Sequence, residues 1–370
     1  MKILQLGKFY PIIGGIEKVM YDLTLGLSEN QIKCDMLCAS KDRKNHTIEI
    51  NSFSNIICTS TWIKLFATMI SPSMIFKLNR ICKNYDIIHI HHPDPMAAVA
   101  LIISGYKGKV ILHWHSDILK QKLLFKFYKP LQNWLIKRAD LIIGTTPKYL
   151  KESPYLQEEN LNKVSIPIGI DAVPININNV EKIKKLFIGK KIIFSLGRLV
   201  DYKGYTYLID AATYLPDDYI ILIGGDGPLK DKLQQQIELQ SLHNKVKLLG
   251  RISNEELNGY FHACDIYVLS SIWKTEAFGI VQIEAMSCGK PIVACNISGS
   301  GVNWVNKDGV SGLNVETENS QALAHAIKTI LTDKERYMNY SKGAFDRYNE
   351  LFRKEKMIKE MINVYRSIIA

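Results

Sequence analysis

The chain has 370 residues, a formal net charge of +11 and 47% hydrophobic content, enough for two or three ordinary domains with buried cores. No apolar run approaches the ~20 residues of a membrane span. The seven cysteines show no CxxC spacing, which argues for scattered reduced thiols in a cytoplasmic protein rather than a disulfide frame or zinc ribbon. The charge is uneven: residues 1–170 carry 22 basic against 13 acidic side chains, the remainder 25 against 23. A basic first half points to polyanionic partners, whether nucleic acid, anionic lipid or a phosphorylated acceptor.

Lys2 to Leu6 reads as a first buried strand, too soon broken by Gly7 to be a signal peptide. Gly14-Gly15 then precedes a helix over 16–29. Further strands are expected at 34–39, 86–90, 110–113 and 141–145, with helical stretches between them. Alternation of short apolar strands with helices is the pattern of a parallel α/β sheet. Ligands in such sheets sit beyond the carboxyl ends of the strands, where Gly14, Gly15, His91, His92, His115 and Asp117 fall. Between 165 and 180 the pattern lapses around Pro167, Gly169 and Pro174, as an interdomain linker does. The expected units are therefore 1–170 and 171–352. A C-terminal helix over 353–370 is expected to fold back on the first domain.

Period-two alternation puts His89 with His91 on one strand face, and His113 with His115 on another. Neighbouring strands would gather them, with Asp94 or Asp117, into a metal cluster. The spacing fits no helical zinc motif, so hydrogen-bonded core roles are expected for His89 and His113, and a functional role for His115. Residues 119–138 hold six basic side chains and no acid: Lys120, Lys122, Lys126, Lys129, Lys137 and Arg138. With Phe125, Phe127 and Trp134 they suit an amphipathic helix on an anionic membrane surface, broken near Pro130. Trp62 to Lys83 is a weaker case of the same pattern. The competing reading is a packed helix with a solvated basic face.

The second half restarts the alternation, with strands at 191–196, 219–223, 246–249, 266–269 and 291–294. After the first of these, Arg198 and Lys203 sit on a glycine-flanked loop, a planar fork and a point charge suited to a diphosphate. Residues 223–228 form another glycine-rich turn. Thr275 to Pro291 then opens with Glu276 and reads as a helix from about Phe278 to Ser287. Glu284 follows Glu276 by eight residues, about 12 Å at ~1.5 Å per residue of helix. Between them the free N–H groups of Phe278 and Gly279 at a helix start favour an anion. Carboxylate, anion site, carboxylate is the order that a sugar–diphosphate–nucleoside requires.

Gly197-Arg198, Lys203-Gly204, Gly224-Asp226-Gly227, Glu276-x-Phe278-Gly279 and Glu284-Ala285-Met286 resemble family 4 of the retaining glycosyltransferases. The match runs from Gly14-Gly15 through the segment 298–313. The resemblance implies an α/β GT-B fold of two Rossmann-like domains with parallel sheets facing a cleft. It assigns Arg198 and Lys203 to the donor diphosphate, Glu276 to donor-sugar hydroxyls and Glu284 to the ribose. Backbone amides of Phe278 and Gly279 would meet sugar or phosphate, Gly15 would approach the phosphate, and His115 would stand near the reacting centre. It implies no metal and no cofactor beyond the nucleotide-sugar donor. Ala277, often glycine in the family, and the turn 298–301 depart from the pattern, and the latter puts local ligand contacts in question.

The expected partners are a nucleotide sugar, a saccharide acceptor linked to polyprenyl diphosphate, and the inner face of a plasma membrane. A rival within the fold is a nucleotide-sugar isomerase or hydrolase. A basic nucleic-acid-binding protein is the rival from another class, and no nucleic-acid module is recognisable. A nicotinamide dehydrogenase would need GxGxxG after the first strand, which Gly7 and Gly14-Gly15 do not supply.

Overall fold

A computed structural model describes residues 1–65, 68–118 and 122–370. They divide into two compact units, one of residues 1–168 with 354–370 and one of 169–353. Unit 1 contains strands β1 (Lys2–Tyr10), β2 (Lys33–Ser40), β3 (His46–Asn51), β4 (Ser54–Ser60), β5 (Ile63–Leu65), β6 (Thr68–Ile70), β7 (Ile87–His92), β8 (Lys109–Trp114), β9 (Leu141–Gly144) and β10 (Lys163–Ser165). Among the described residues, eight of these form one sheet in the order β10-β9-β8-β7-β1-β2-β4-β3. All neighbours pair in parallel except β3, which closes the edge antiparallel to β4. The central strands are buried along most of their length, because helices cover both faces of a parallel sheet.

Unit 2 contains β11 (Lys191–Leu196), β12 (Tyr219–Gly224), β13 (Val246–Gly250), β14 (Ile266–Leu269), β15 (Ile292–Cys295) and β16 (Gly312–Val315). Their order is β13-β12-β11-β14-β15-β16, all parallel. From β11 the chain builds outward to β13, then returns to lay β14 on the other side of β11. That reversal opens a crevice at the carboxyl ends of β11 and β14. The loops carrying Arg198 and Lys203 leave from the first, and the loop carrying Glu276 from the second.

Three expected elements differ. Trp62 to Lys83 is not one helix: β5 and β6 pair as an antiparallel hairpin, and the α-helix is Pro72–Ile81, followed by a 3-10 turn at Cys82–Asn84. The β-branched residues around Trp62 favour strand, and Pro72 sets the helix start. The helix Lys122–Arg138 runs through Pro130 without ending there. Its buried side chains Tyr128, Leu135 and Ile136 lie on both sides of the proline and hold the helix against the backbone bond lost there. The helix expected from Phe278 begins at Ile280.

The last helix, Lys354–Ile369, packs on the helix Gly15–Glu29 of unit 1. The approach needs Gly26, where a Cβ would come within 2.5 Å of Ile358 Cδ1. Among the described residues no helix is long and apolar enough to cross a membrane.

Candidate active site

In unit 2 a short turn after β11, Asp201–Lys203, is tied to the segment after β14. Ile272 N donates to the Tyr202 carbonyl at 2.8 Å, and Ser270 Oγ donates to the Lys203 carbonyl at 2.9 Å. This brings Lys203 Nζ to Glu276 Oε2 at 2.5 Å, with side chains only 9% and 13% exposed. Ser271 Oγ donates to the same carboxylate oxygen at 3.0 Å. Burial opposes the charge on Lys203, but Glu276, with Tyr205 and Tyr202 adding, outweighs it and holds the ammonium pKa above its ordinary value. Arg198 is exposed and makes no ion pair among the described residues. The Tyr202 phenol, raised first by burial, lies within electrostatic reach of Lys203, Glu276 and Arg198 together.

The turn 298–301, which departs from the family pattern, braces this loop from behind. Ser300 Oγ donates to the Glu276 carbonyl at 2.5 Å, and Gly301 N donates to the Ala277 carbonyl at 2.9 Å. Ser300 is fully buried. Its role is thus to fix the backbone at Glu276 rather than to contact a ligand.

Glu276 precedes the helix Ile280–Ser287 instead of opening it, so a separation reckoned from helical rise does not apply to Glu276 and Glu284. Both still act on one buried phenol, Tyr267, whose pKa is raised by burial, then Tyr205, with Glu284 and Glu276 contributing. Gly279 caps the helix at φ 75° and ψ 63°. A Cβ there would sit 2.7 Å from Gln282 Nε2 and 2.9 Å from Leu269 Cδ2, so the position excludes other residues on two counts. The Phe278 side chain is buried edge-on against Phe352, centroids 6.0 Å apart. That leaves only its backbone for a ligand, and neither the Phe278 nor the Gly279 amide donates to a described backbone carbonyl. Free amides at a helix start make an anion cradle.

Gly15 is the exposed first residue of its helix. Glu17, in the first turn, folds back over Gly14, so this helix start already carries an acid of its own.

His89, His91, His113 and His115 gather on one face of β7 and β8, as alternation requires. The rings stack at centroid separations of 4.7 Å (His89–His91), 5.1 Å (His91–His115) and 4.0 Å (His113–His115). His92 points to the opposite face and stacks on Trp114 at 3.8 Å. Burial pushes all four stacked imidazoles well below the ordinary histidine pKa, His113 to about 3. Nitrogens of His89, His91 and His113 lie within 4.8 Å of one another. His91, however, uses both ring nitrogens in hydrogen bonds, to His115 and Gln5. His89 bonds Tyr365 through Nδ1 at 2.5 Å. The expected hydrogen bond at His113 does not form: neither of its nitrogens has a partner among the described residues, and the ring is held by stacking and burial. His115 is 4% exposed, and its Nδ1 has no described partner. Gln5 and Tyr365 enter this cluster from positions that spacing does not connect. A lone glutamine inside an apolar strand is the signal that marks Gln5.

Among the six cations read over 119–138, Lys120 lies outside the described residues, as does the side chain of Lys122, with those of Phe125 and Phe127. Arg138 is committed within the unit, pairing with Asp140 at 3.2 Å and donating to the Gly108 carbonyl at 2.6 Å. Lys126, Lys129 and Lys137 are exposed, while Leu135 and Ile136 are buried in protein. Free apolar surface occurs instead on the hairpin and the next helix, where Trp62 and Phe76 are each 71% exposed. An open pocket beside Phe76 is lined by His46, Lys77 and Arg80 and by no acidic residue.

Two family models match the chain: "Glycosyltransferase Family 4" over residues 13–153 and "Glycosyl transferases group 1" over residues 177–347. An uncharacterized glycosyltransferase of Methanocaldococcus jannaschii, MJ1607, is 31% identical over 99% of this chain and 98% of its own. The O-antigen chain mannosyltransferase C of Escherichia coli is 28% identical over 100% and 99% respectively. Anabaena HepE, crystallised in complex with UDP, superposes with a TM-score of 0.79 at 21% identity, covering 99% of this chain and 100% of that one. With two Rossmann-like units, a switch-point crevice in the second and these relatives along its whole length, the chain belongs to the GT-B-fold glycosyltransferases.

Proposed function

We propose that the chain is a retaining hexosyltransferase that takes a sugar from a nucleotide-diphosphate donor and delivers it to a saccharide acceptor carried on polyprenyl diphosphate. The process served is assembly of a bacterial surface polysaccharide such as O-antigen, capsule or exopolysaccharide. The observation that carries the donor half is the Lys203–Glu276 pair at 2.5 Å, with exposed Arg198 within electrostatic reach of the Tyr202 phenol that both also reach. A cation pair for phosphates and a fixed carboxylate for hydroxyls sit where α/β sheets bind ligands. The UDP complex of HepE and the name of the O-antigen mannosyltransferase support the same reading.

In this reading Arg198 and Lys203 hold the diphosphate, with the Phe278 and Gly279 amides contributing, and Gly15 approaches it only if the Glu17 carboxylate turns away from Gly14. Glu284 takes the ribose hydroxyls. Glu276 holds sugar hydroxyls and stabilises positive charge at the anomeric carbon, and His115 stands by the reacting centre. The bond from the anomeric carbon to the phosphate oxygen breaks, and a bond to the acceptor oxygen forms on the same face. The acceptor proton passes to the departing phosphate, so no protein nucleophile and no metal is required. Charge stabilisation of this kind is often the largest catalytic contribution.

For the acceptor, the pocket at His46, Lys77 and Arg80 suits a phosphate through Lys77 and Arg80, since His46 already faces Asp42 at 3.8 Å, and exposed Trp62 and Phe76 suit a hydrocarbon boundary. In this reading the protein works at the cytoplasmic face of an anionic membrane. It should sediment with anionic liposomes at low salt, and charge reversal at Lys77 and Arg80 should weaken this. Sedimentation unchanged by both reversals would contradict the placement.

A thermal-shift panel of nucleoside diphosphates tests the donor, since a ligand of the native state raises the midpoint. A rise with GDP alone selects guanosine donors, a rise with UDP alone selects uridine donors, and no rise with any contradicts the reading. An isomerase or hydrolase would consume donor with no acceptor present.

A further inference from the structure

His115 ends a continuous hydrogen-bonded chain that starts on the last helix. Gln5 Nε2 donates to Tyr365 Oη at 3.1 Å, and its second N–H faces Cys34 Sγ at 3.8 Å. With its oxygen accepting from Gln5, the Tyr365 hydroxyl sends its proton to His89 Nδ1, 2.5 Å away. The Gln5 amide is thereby oriented with Oε1 toward His91 Nε2, 2.7 Å away. An amide oxygen only accepts, so His91 carries its proton on Nε2. Burial keeps that ring neutral, which leaves Nδ1 as an acceptor. The atom 2.9 Å from it is His115 Nε2, which must therefore be the N–H. One proton placement follows from the next, and the last leaves a lone pair on His115 Nδ1. That atom is buried and has no partner among the described residues.

We propose that Gln5 and Tyr365 are positioning residues that hold His115 as its Nε2–H tautomer, so that Nδ1 is kept as an acceptor for a sugar hydroxyl. This rests on the role given to His115 above. Tyr365 reaches it through Gln5 and His91, linking the C-terminal helix to the loop that follows β8. Such outer partners fix ring orientation and tautomer wherever an imidazole must present one particular nitrogen. A buried acceptor without a donor is costly, and a bound hydroxyl removes that cost. With the opposite tautomer Nδ1 would be a donor, and a hydroxyl would have to accept instead.

Nitrogen-15 NMR of the full chain labelled at histidine reads the tautomer directly, since protonated and unprotonated ring nitrogens resonate far apart. In the wild type, His115 should show an N–H at Nε2 and a bare Nδ1. Gln5→Met, close in shape and without hydrogen bonds, should give a mixture of tautomers. It should lower kcat by roughly tenfold with donor KM little changed. Tyr365→Phe should do the same more weakly. Gln5→Glu sets a carboxylate against His91 Nε2 and favours the doubly protonated ring. Its Nδ1–H should then donate to His115 Nε2 and shift the His115 proton to Nδ1, with activity lowered as in Gln5→Met.

Thermal midpoints identify any variant that fails to fold, and Tyr365→Phe still decides the matter if Gln5→Met does. A wild-type His115 protonated at Nδ1, or a tautomer unmoved by both Gln5→Met and Tyr365→Phe, overturns the proposal. Full activity of His115→Ala would remove the role of His115 itself, while the wild-type spectrum still reports on the chain of hydrogen bonds.

Discussion

Lys203 and Glu276 are 73 residues apart and meet at 2.5 Å with little solvent around either. Removing one partner of such a pair strands the other's charge, which typically costs about 3–5 kcal/mol, whereas removing both costs much less. Lys203→Met, which keeps the stem, should therefore lower stability by about 3 kcal/mol. Lys203→Met with Glu276→Gln should recover part of that loss. Denaturant unfolding of the full cycle should give a coupling above about 1.5 kcal/mol, and a coupling near zero would contradict a direct buried pair. Gly279→Ala combines a left-handed backbone with two close contacts. It should destabilise by about 2 kcal/mol, and an unchanged urea midpoint would show that the helix start can rearrange. Both carboxylates and both cations were legible in the sequence as residue types at strand ends. Their direct pairing was not, because spacing along a chain carries no distance across it. Ser300 likewise reads as a departure from a motif, and only its bond to the Glu276 carbonyl shows it as a brace.

At the scale of elements, strict alternation made the histidine face of β7 and β8 readable, and apolar runs located the central strands to within two or three residues in most cases, although β1 extends four residues past Leu6. The short, half-exposed strands β3 and β16 carry too little periodicity to stand out. The run at Trp62 mixes β-branched and basic residues in a way that mimics an amphipathic helix. Stacking four imidazoles in the interior has a consequence for acid stability. Their native pKa values lie well below the unfolded value of about 6.5, and His113 lies near 3. Between those limits the unfolded chain binds more protons than the folded one, so stability falls as pH drops through this window. The slope is about 1.4 kcal/mol per pH unit for each such histidine. Unfolding by urea at pH 7 and pH 5 should show a marked loss, and His113→Phe should make it shallower. A protein as stable at pH 5 as at pH 7 would mean that these rings are not buried neutral.

Over the whole molecule, strand–helix alternation with a lapse at 165–180 was enough to read an α/β fold with two sheets. Strand order was not readable, because register and crossover depend on contacts made after folding. Strand order is nonetheless what gives the site its place. In unit 2 the return of β14 beside β11 brings the loops of Arg198, Lys203 and Glu276 to one crevice, and the helix dipole at Ile280 adds its charge there. A crystal structure with the nucleotide-sugar donor bound tests the central claim most directly. The account predicts the diphosphate within hydrogen-bonding distance of Arg198 and Lys203, with Glu276 on the sugar and Glu284 on the ribose. A donor bound elsewhere, with the Lys203–Glu276 pair bare, would contradict it.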